Sequence, residues 1–211
     1  MFVSLEGMDN VGKTTICGIL ARRLSPDYVV SVVSDPPAVA PWNDLRTTLL
    51  GDRRIDNSSR AMIFLAARID AYFRIIKPLL RRKHGIILAD RFSDSWLAYQ
   101  SVKNRKLFKN LKIAVRFFTS ISSSCVDAGM LIVPNKTFLI TADVRATTKR
   151  GRRKKRTVFD SIPFQREVQG VYLRLAMRSK KRFEIIDSRD RNVEELGNII
   201  EARIRSLMRS R

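Results

Sequence analysis

The sequence predicts an α/β domain: a five-stranded, doubly wound parallel sheet flanked by helices, with a short basic lid. Three observations carry that expectation. Short apolar runs recur at residues 1–5, 28–33, 85–89, 137–141 and 182–186. Segments with apolar residues at helical spacing lie between them. The first run opens into a glycine-rich loop that leads straight into a helical pattern. Strands alternating with helices imply a parallel sheet with ligand sites at the carboxyl ends of its strands.

Residues 1–5 are apolar and partly β-branched, which suits a buried strand. Residues 14–24 place Ile16, Ile19, Leu20 and Leu24 on one helical face. After the second strand, the loop 34–41 is stiffened by three prolines, and 42–50 reads as a short helix. Apolar residues then recur from 58 to 82 as in one long helix, bent or ended near Pro78. The run 85–89 ends in Asp90-Arg91, so charges sit at the carboxyl end of a buried strand. Residues 103–125 and 144–150 read as helices, the second leading into the block Lys149-Arg-Gly-Arg-Arg-Lys-Lys-Arg156. This block, within about 148–163, is the expected lid. A helix over 164–180 precedes the last strand, and Asn192-Val-Glu-Glu195 is a capping box that starts the final helix. No repeat or linker interrupts the 211 residues, so 1–211 reads as one domain.

No apolar run is long enough to span a bilayer. The chain enters a strand at once, without the pattern of a signal or transit peptide. Cys17 and Cys125 are far apart and lack metal-ligand spacing; Cys17 suits a helix core. A cytoplasmic protein is expected. The formal net charge is +21, concentrated around 81–83, 149–156 and 203–211. Zinc-finger spacing, RNA-recognition signatures and aromatic–basic alternation are missing, so steering of an anionic substrate and a basic surface rank above specific nucleic-acid binding.

Gly7-x-x-x-x-Gly12-Lys13-Thr14 is a complete phosphate-binding loop. Its glycines let backbone N–H groups converge on an anion, Lys13 reaches the terminal phosphates, and the Thr14 hydroxyl suits Mg²⁺. The following helix N-terminus favours negative charge. Asp90 at a strand end is suited to the same Mg²⁺ shell, and Arg91 offers a planar fork to a second phosphate. A metal anchor and a second phosphate clamp are what phosphoryl transfer requires.

With these motifs the chain resembles the thymidylate kinases of the nucleoside monophosphate kinase superfamily. "LEGMDNVGKTT" (5–15) is similar to the family's loop, and "DRFSDSWLAYQ" (90–100) to its Asp-Arg-aromatic signature ending in Ala-Tyr-Gln. "IFLAAR" (63–68), "PNKTFLI" (134–140) and "RFEIID" (182–187) match in register along essentially the whole chain. The resemblance implies ATP-dependent phosphorylation of dTMP by a homodimer, with the acceptor region at about 34–100. Gly7, Asn10, Val11, Gly12, Lys13, Thr14 and Thr15 would hold the ATP phosphates, and Thr14 and Asp90 the Mg²⁺. Asp9 would accept a hydrogen bond from the acceptor's 3′-hydroxyl; by itself it reads as a turn aspartate. Phe64 would stack on the pyrimidine and Arg68 would meet its carbonyl edge, although the helix pattern alone makes them core and a solvated ion-pair partner. Arg91 would bind the 5′-phosphate and Tyr99 pack against C2′ of a deoxyribose. Pro36, Ser95 and Gln100 join the acceptor site, Gln100 without a derivable role.

No arginine lies inside the loop, so the resemblance assigns the catalytic cation to the lid, from Arg150, Arg152, Arg153 or Arg156. Two departures stand out. Ser34-Asp35-Pro36 replaces the usual Arg-Glu-Pro, removing an acceptor-phosphate arginine, and Trp96 stands where a small residue usually lies near the base. The other readings are a deoxypyrimidine nucleotide kinase, a deoxynucleoside kinase with Glu6 as its base, and a P-loop nucleic-acid-binding ATPase.

Overall fold

The computed structural model describes residues 1–52, 54–150 and 161–210, apart from the side chains of 46, 47, 49–51, 149 and 150. In chain order the elements are β1 (Phe2–Gly7), α1 (Lys13–Leu24), β2 (Val29–Ser34), α2 (Trp42–Gly51), α3 (Asn57–Ala71), α4 (Lys77–Leu80) and β3 (Gly85–Asp90). Then follow α5 (Ser93–Lys103), α6 (Leu111–Asp127), β4 (Lys136–Thr141), α7 (Val144–Arg150), α8 (Ile162–Arg178), β5 (Phe183–Asp187) and α9 (Val193–Arg209). All five strands are parallel, in the order β2-β3-β1-β4-β5. The chain winds from β1 toward one edge and from β3 toward the other. The carboxyl ends of β1 and β3 therefore flank the point where the connections diverge, the usual place for a ligand crevice.

Strand alternation sorts β1 between two cores. Val3 and Leu5 pack toward α1 and α9 with Ile16, Leu20, Leu196 and Ile200. Phe2 points to the other face, with Phe92, Trp96, Phe118 and Tyr172. Complete burial of each such side chain contributes roughly 1.5–3 kcal/mol, so the sheet is held from both sides. Ser4 and Glu6 share the face of Phe2, since residues two apart point the same way. Ser4 shares a 2.9 Å hydrogen bond with Thr137. Glu6 Oε1 accepts from the Phe92 backbone N–H at 2.8 Å, and Glu6 Oε2 accepts from the Ser95 and Tyr172 hydroxyls. One buried carboxyl thus ties β1 to the start of α5 and to α8.

The long helix expected over 58–82 holds but contains a π turn, and the one expected over 103–125 changes. The pattern from 58 to 82 is α3, a wide π turn at Tyr72–Ile76, then α4, with Pro78 in the first turn of α4. Helical backbone runs on through Ile76 and Lys77, so Pro78 leaves the turn before it one N–H short. The single helix expected over 103–125 is instead the end of α5, a turn, and α6. Lys109 has φ 63° and the Asn110 side chain caps α6 by accepting from Ile113 N–H. The final helix starts with the expected capping box at Asn192 and Glu195.

Burial, reinforced by the Asp94 carboxylate, pushes Glu6 from 4.5 up to about 8 against the pull of Ser95, Arg91 and Phe92. The folded protein holds this proton more tightly than the unfolded chain. The associated stability is complete below pH 4.5 and is lost as pH rises through about 8. Glu6→Gln removes the titration, so thermal midpoints measured from pH 5 to 8 should fall more steeply for the parent than for the variant. A constant gap between the two would show that Glu6 is ionised throughout.

Candidate functional site

The phosphate loop joins β1 to α1, and its shape requires two glycines. Gly7 has φ 140° and Gly12 φ 90°. A Cβ on Gly7 would lie 2.3 Å from the Ile140 carbonyl oxygen, and one on Gly12 would lie 2.9 Å from Val193 Cγ1. Gly12 is the N-cap of α1; no side chain caps this end and no acid lies in the first turn. Its N–H groups and helix dipole therefore suit an anion. The buried Lys13 folds over the loop, its Nζ donating to Met8 O at 2.6 Å. Burial, aided by Arg91, pushes Lys13 down to about 7, while Asp9, Asp90 and Glu6 oppose the shift.

Sheet register sets the second half of the site. Leu5 pairs with Asp90 and Ser34 pairs with Asp90 on the other side, so the residues following all three strands gather at one edge. The Thr14 hydroxyl donates to Asp90 Oδ2 at 2.5 Å. A hydroxyl and a carboxylate at the mouth of a phosphate loop are the hard oxygen donors that suit Mg²⁺. Arg91 has φ 71°, an uncommon conformation for a residue with a side chain. It is held there at both ends. Its backbone N–H donates to Leu5 O at 3.1 Å, and its guanidinium donates to Gly7 O at 3.0 Å and Asp9 Oδ1 at 2.5 Å. The Tyr99 ring centroid lies 5.1 Å from the guanidinium carbon. Asp9 Oδ2 also accepts from Gln165 Nε2 at 2.9 Å, which links the loop to α8.

A cavity of about 190 Å³ abuts this cluster. Asp9, Pro36, Phe64, Arg68, Arg91, Ser95, Trp96, Tyr99 and Gln100, all expected at the acceptor site, line it together with Asp35 and Lys103. Arg68 is buried, not solvated. Its Nε donates to Asp35 Oδ1 at 3.0 Å and its Nη2 to Asp35 Oδ2. Its guanidinium carbon lies 5.5 Å from the Trp96 ring centroid and 5.9 Å from that of Phe92. Trp96 is itself anchored by a 2.9 Å bond from Nε1 to Ala61 O and an edge-on contact with Phe118. Ser34 supplies no cation, and its hydroxyl turns to Pro36 O. Gln100 is buried, and its Oε1 lacks a hydrogen-bond partner among the described residues.

Sequence reasoning missed Asp35, Gln165 and Lys103. The Asp35 position was visible only as a departure from a motif, whereas its pairing with Arg68 spans 33 residues. Arg152, Arg153 and Arg156 lie outside the described residues, as does the Arg150 side chain, so the expected lid cation falls there too. Glu6 does not line the cavity and its carboxyl is enclosed, which removes the base that a nucleoside kinase would need.

The family model described as thymidylate kinase matches residues 5–200. A probable thymidylate kinase of Methanocaldococcus jannaschii is 30% identical over 95% of this chain and 93% of its own. The thymidylate kinase of Pelobacter propionicus is 31% identical, covering 96% and 93%. The crystal structure of thymidylate kinase from Ehrlichia chaffeensis superposes with a TM-score of 0.70 at 24% identity, covering 99% of this chain and 98% of that one, and shares the fold.

Two predictions follow from the charges. A phosphate beside Lys13 favours its ammonium form, so binding a nucleoside triphosphate should take up a proton. Affinity should fall as pH rises from about 7 to 9, above the last phosphate pKa of about 6. Calorimetry in buffers of different ionisation enthalpy reads both quantities, and pH-independent affinity would contradict the shift. Asp35→Ala leaves the Arg68 charge buried without its partner and should cost about 3–5 kcal/mol of stability in denaturant unfolding. A loss below about 1 kcal/mol, the level of an exposed pair, would count against an enclosed ion pair.

Proposed function

The chain belongs to the thymidylate kinase family, and we propose on that premise that it transfers the γ-phosphoryl of ATP to dTMP, giving dTDP and ADP. The observation that carries the reading is the shared boundary between the phosphate loop and the cavity. Asp9 belongs to the loop, pairs with Arg91 and lines the cavity. One rigid corner thus serves a donor on one side and an acceptor on the other.

The donor phosphates lie on the N–H groups of the loop and on Lys13. Thr14 and Asp90 would hold Mg²⁺, which when bound neutralises charge across the β- and γ-phosphates. Arg91 takes the acceptor 5′-phosphate, and Asp9 accepts from the 3′-hydroxyl of the same nucleotide. Phe64 stacks on the base and Arg68, aimed by Asp35, donates to its 4-carbonyl. The orphaned Gln100 Oε1 accepts from the N3–H, the bond that this buried amide lacks. Tyr99 closes the C2′ side of the sugar, with Pro36, Ser95 and Trp96 completing the walls. An acceptor phosphate oxygen attacks the γ-phosphorus while the bond to ADP breaks, with no covalent enzyme intermediate. One of Arg150, Arg152, Arg153 and Arg156 stabilises charge on the transferring group. Positioning and electrostatics supply the rate.

The family also supports a homodimer, as do the exposed apolar side chains Met62 and Phe73 near α3 and Ile113 and Phe117 on α6. A cytoplasmic location suits the nucleotide substrates. Among the described residues no helix is long and apolar enough to cross a membrane.

ADP release should be measured with dTMP, dUMP, ribothymidylate and purine monophosphates as acceptors. dTMP should be preferred, and its ribose analogue should lose about tenfold to a hundredfold in kcat/KM, because a buried hydroxyl without a partner costs roughly 1–3 kcal/mol. Use of purine monophosphates alone would sink the proposal, and equal use of ribose and deoxyribose would remove the role of Tyr99.

A further inference from the structure

Helices α3 and α5 pack in antiparallel fashion across the acceptor cavity, which fixes the order of side chains down its length. At one end the Arg68 guanidinium lies over the Trp96 ring. At the other, Asn104 Nδ2 donates to Asn57 O at 3.5 Å, and the Lys103 ammonium feels the Arg60 charge. Phe64 and Gln100 stand between the ends, each one helical turn from its neighbours. Arg68, Gln100 and Lys103 all line the cavity. They present a donor, the unpartnered Gln100 acceptor and another donor, in that order.

We propose that Lys103 donates to the 2-carbonyl oxygen of the acceptor base, so that Arg68, Gln100 and Lys103 together read the imide edge of thymine or uracil. The inference rests on the acceptor-site reading given above. The imide edge runs acceptor, donor, acceptor from the 4-carbonyl through N3–H to the 2-carbonyl, which complements the row. Cytosine reverses the first two groups. Guanine matches the first two but presents an amine at the third, where a lysine repels it. The direction agrees as well. The 2-carbonyl adjoins the glycosidic nitrogen and therefore lies toward the sugar, and Lys103 feels the charge of Asp9, the proposed sugar contact. Partial burial of this ammonium, which Arg60 reinforces, pushes it down to about 8 and makes it a stronger donor.

The experiment compares dTMP with 2-thio-dTMP, whose sulfur is a weaker acceptor, on the full chain and on Lys103→Met and Lys103→Arg. Calorimetric binding and kcat/KM are measured for both nucleotides. The parent should favour dTMP by about tenfold to a hundredfold, the range of a hydrogen bond to a charged group. Lys103→Met should lose affinity for dTMP but little for the thio analogue, bringing the ratio near one, and Lys103→Arg should restore it. An unchanged ratio in Lys103→Met, or equal losses for both nucleotides, overturns the proposal. A parent that binds dTMP without phosphorylating it would fail the kinase reading while the binding ratio still decides the role of Lys103. A parent that binds no dTMP overturns both.

Discussion

The buried Glu6 carboxyl is the contact on which the site depends most. A strand residue one place before Gly7 would ordinarily be apolar on this face, as Phe2 is. Glu6 instead gathers the Phe92 backbone and the Ser95 hydroxyl from the start of α5 and the Tyr172 hydroxyl from α8. Phe92 follows Arg91 directly, so this bond helps fix the turn in which Arg91 holds its positive φ. An isolated buried charge would be costly, and burial shifts the group toward its neutral form. A neighbouring pair, Asp94 with Arg182, anchors the same end of α5 through two charge-assisted bonds at 2.5 and 2.9 Å. Before any nucleotide binds, the start of α5 is thus tied to β1, to α8 and, through Arg182, to the start of β5.

That rigidity lets one arginine and one aspartate border both the phosphate loop and the cavity. Arg91 reaches back to the Gly7 carbonyl and across to Asp9, so the phosphate loop and the acceptor cavity share a wall. In the free protein the two charges neutralise each other. A nucleotide with a hydroxyl at one end and a phosphate at the other offers each a new partner without leaving either bare. Arg91 is mostly enclosed and Asp9 about a third exposed, so the exchange strips water mainly from Asp9. Gln165 joins the arrangement from α8, so the helix that follows the basic block also contacts the corner.

Most of the architecture could be read from the sequence because it rests on local signals. Five apolar runs, the glycine loop and the capping box at Asn192 each depend on neighbours in the chain. The helix expected over 58–82 holds with a π turn inside it, whereas the one expected over 103–125 was misread. Apolar spacing continued through the π turn at 72–76, and it resumed after 110 closely enough to hide the turn before α6. Asn110 was the available signal there, as a helix N-cap residue. The residues lining the cavity were legible only through family motifs; periodicity alone made Phe64 core and Arg68 solvated. Asp35, Gln165 and Lys103 depend on contacts between segments far apart in the chain, which no local pattern encodes.

The two departures from the family motif have different physical consequences. Trp96 does not simply fill the cavity. Its indole N–H is satisfied by Ala61 and its ring lies against Arg68, so it stiffens Arg68, the proposed base contact, while narrowing the space beside it. The loss of an arginine at Ser34 removes a local cation from the phosphate end, and Asp35 next to it is already committed to Arg68. Within the described cavity Arg91 is then the cation nearest the loop, and its charge is shared with Asp9. The net charge of +21 acts over a longer range. Both substrates are anions, and a strongly positive field raises their encounter rate without contacting either. Such steering cannot replace an arginine in the transition state, because it favours bound substrate and approaching substrate without distinguishing the reacting geometry. Steering of this kind acts on capture, whereas on the proposed reading the chemical step rests on Lys13, Arg91 and an arginine of the basic block.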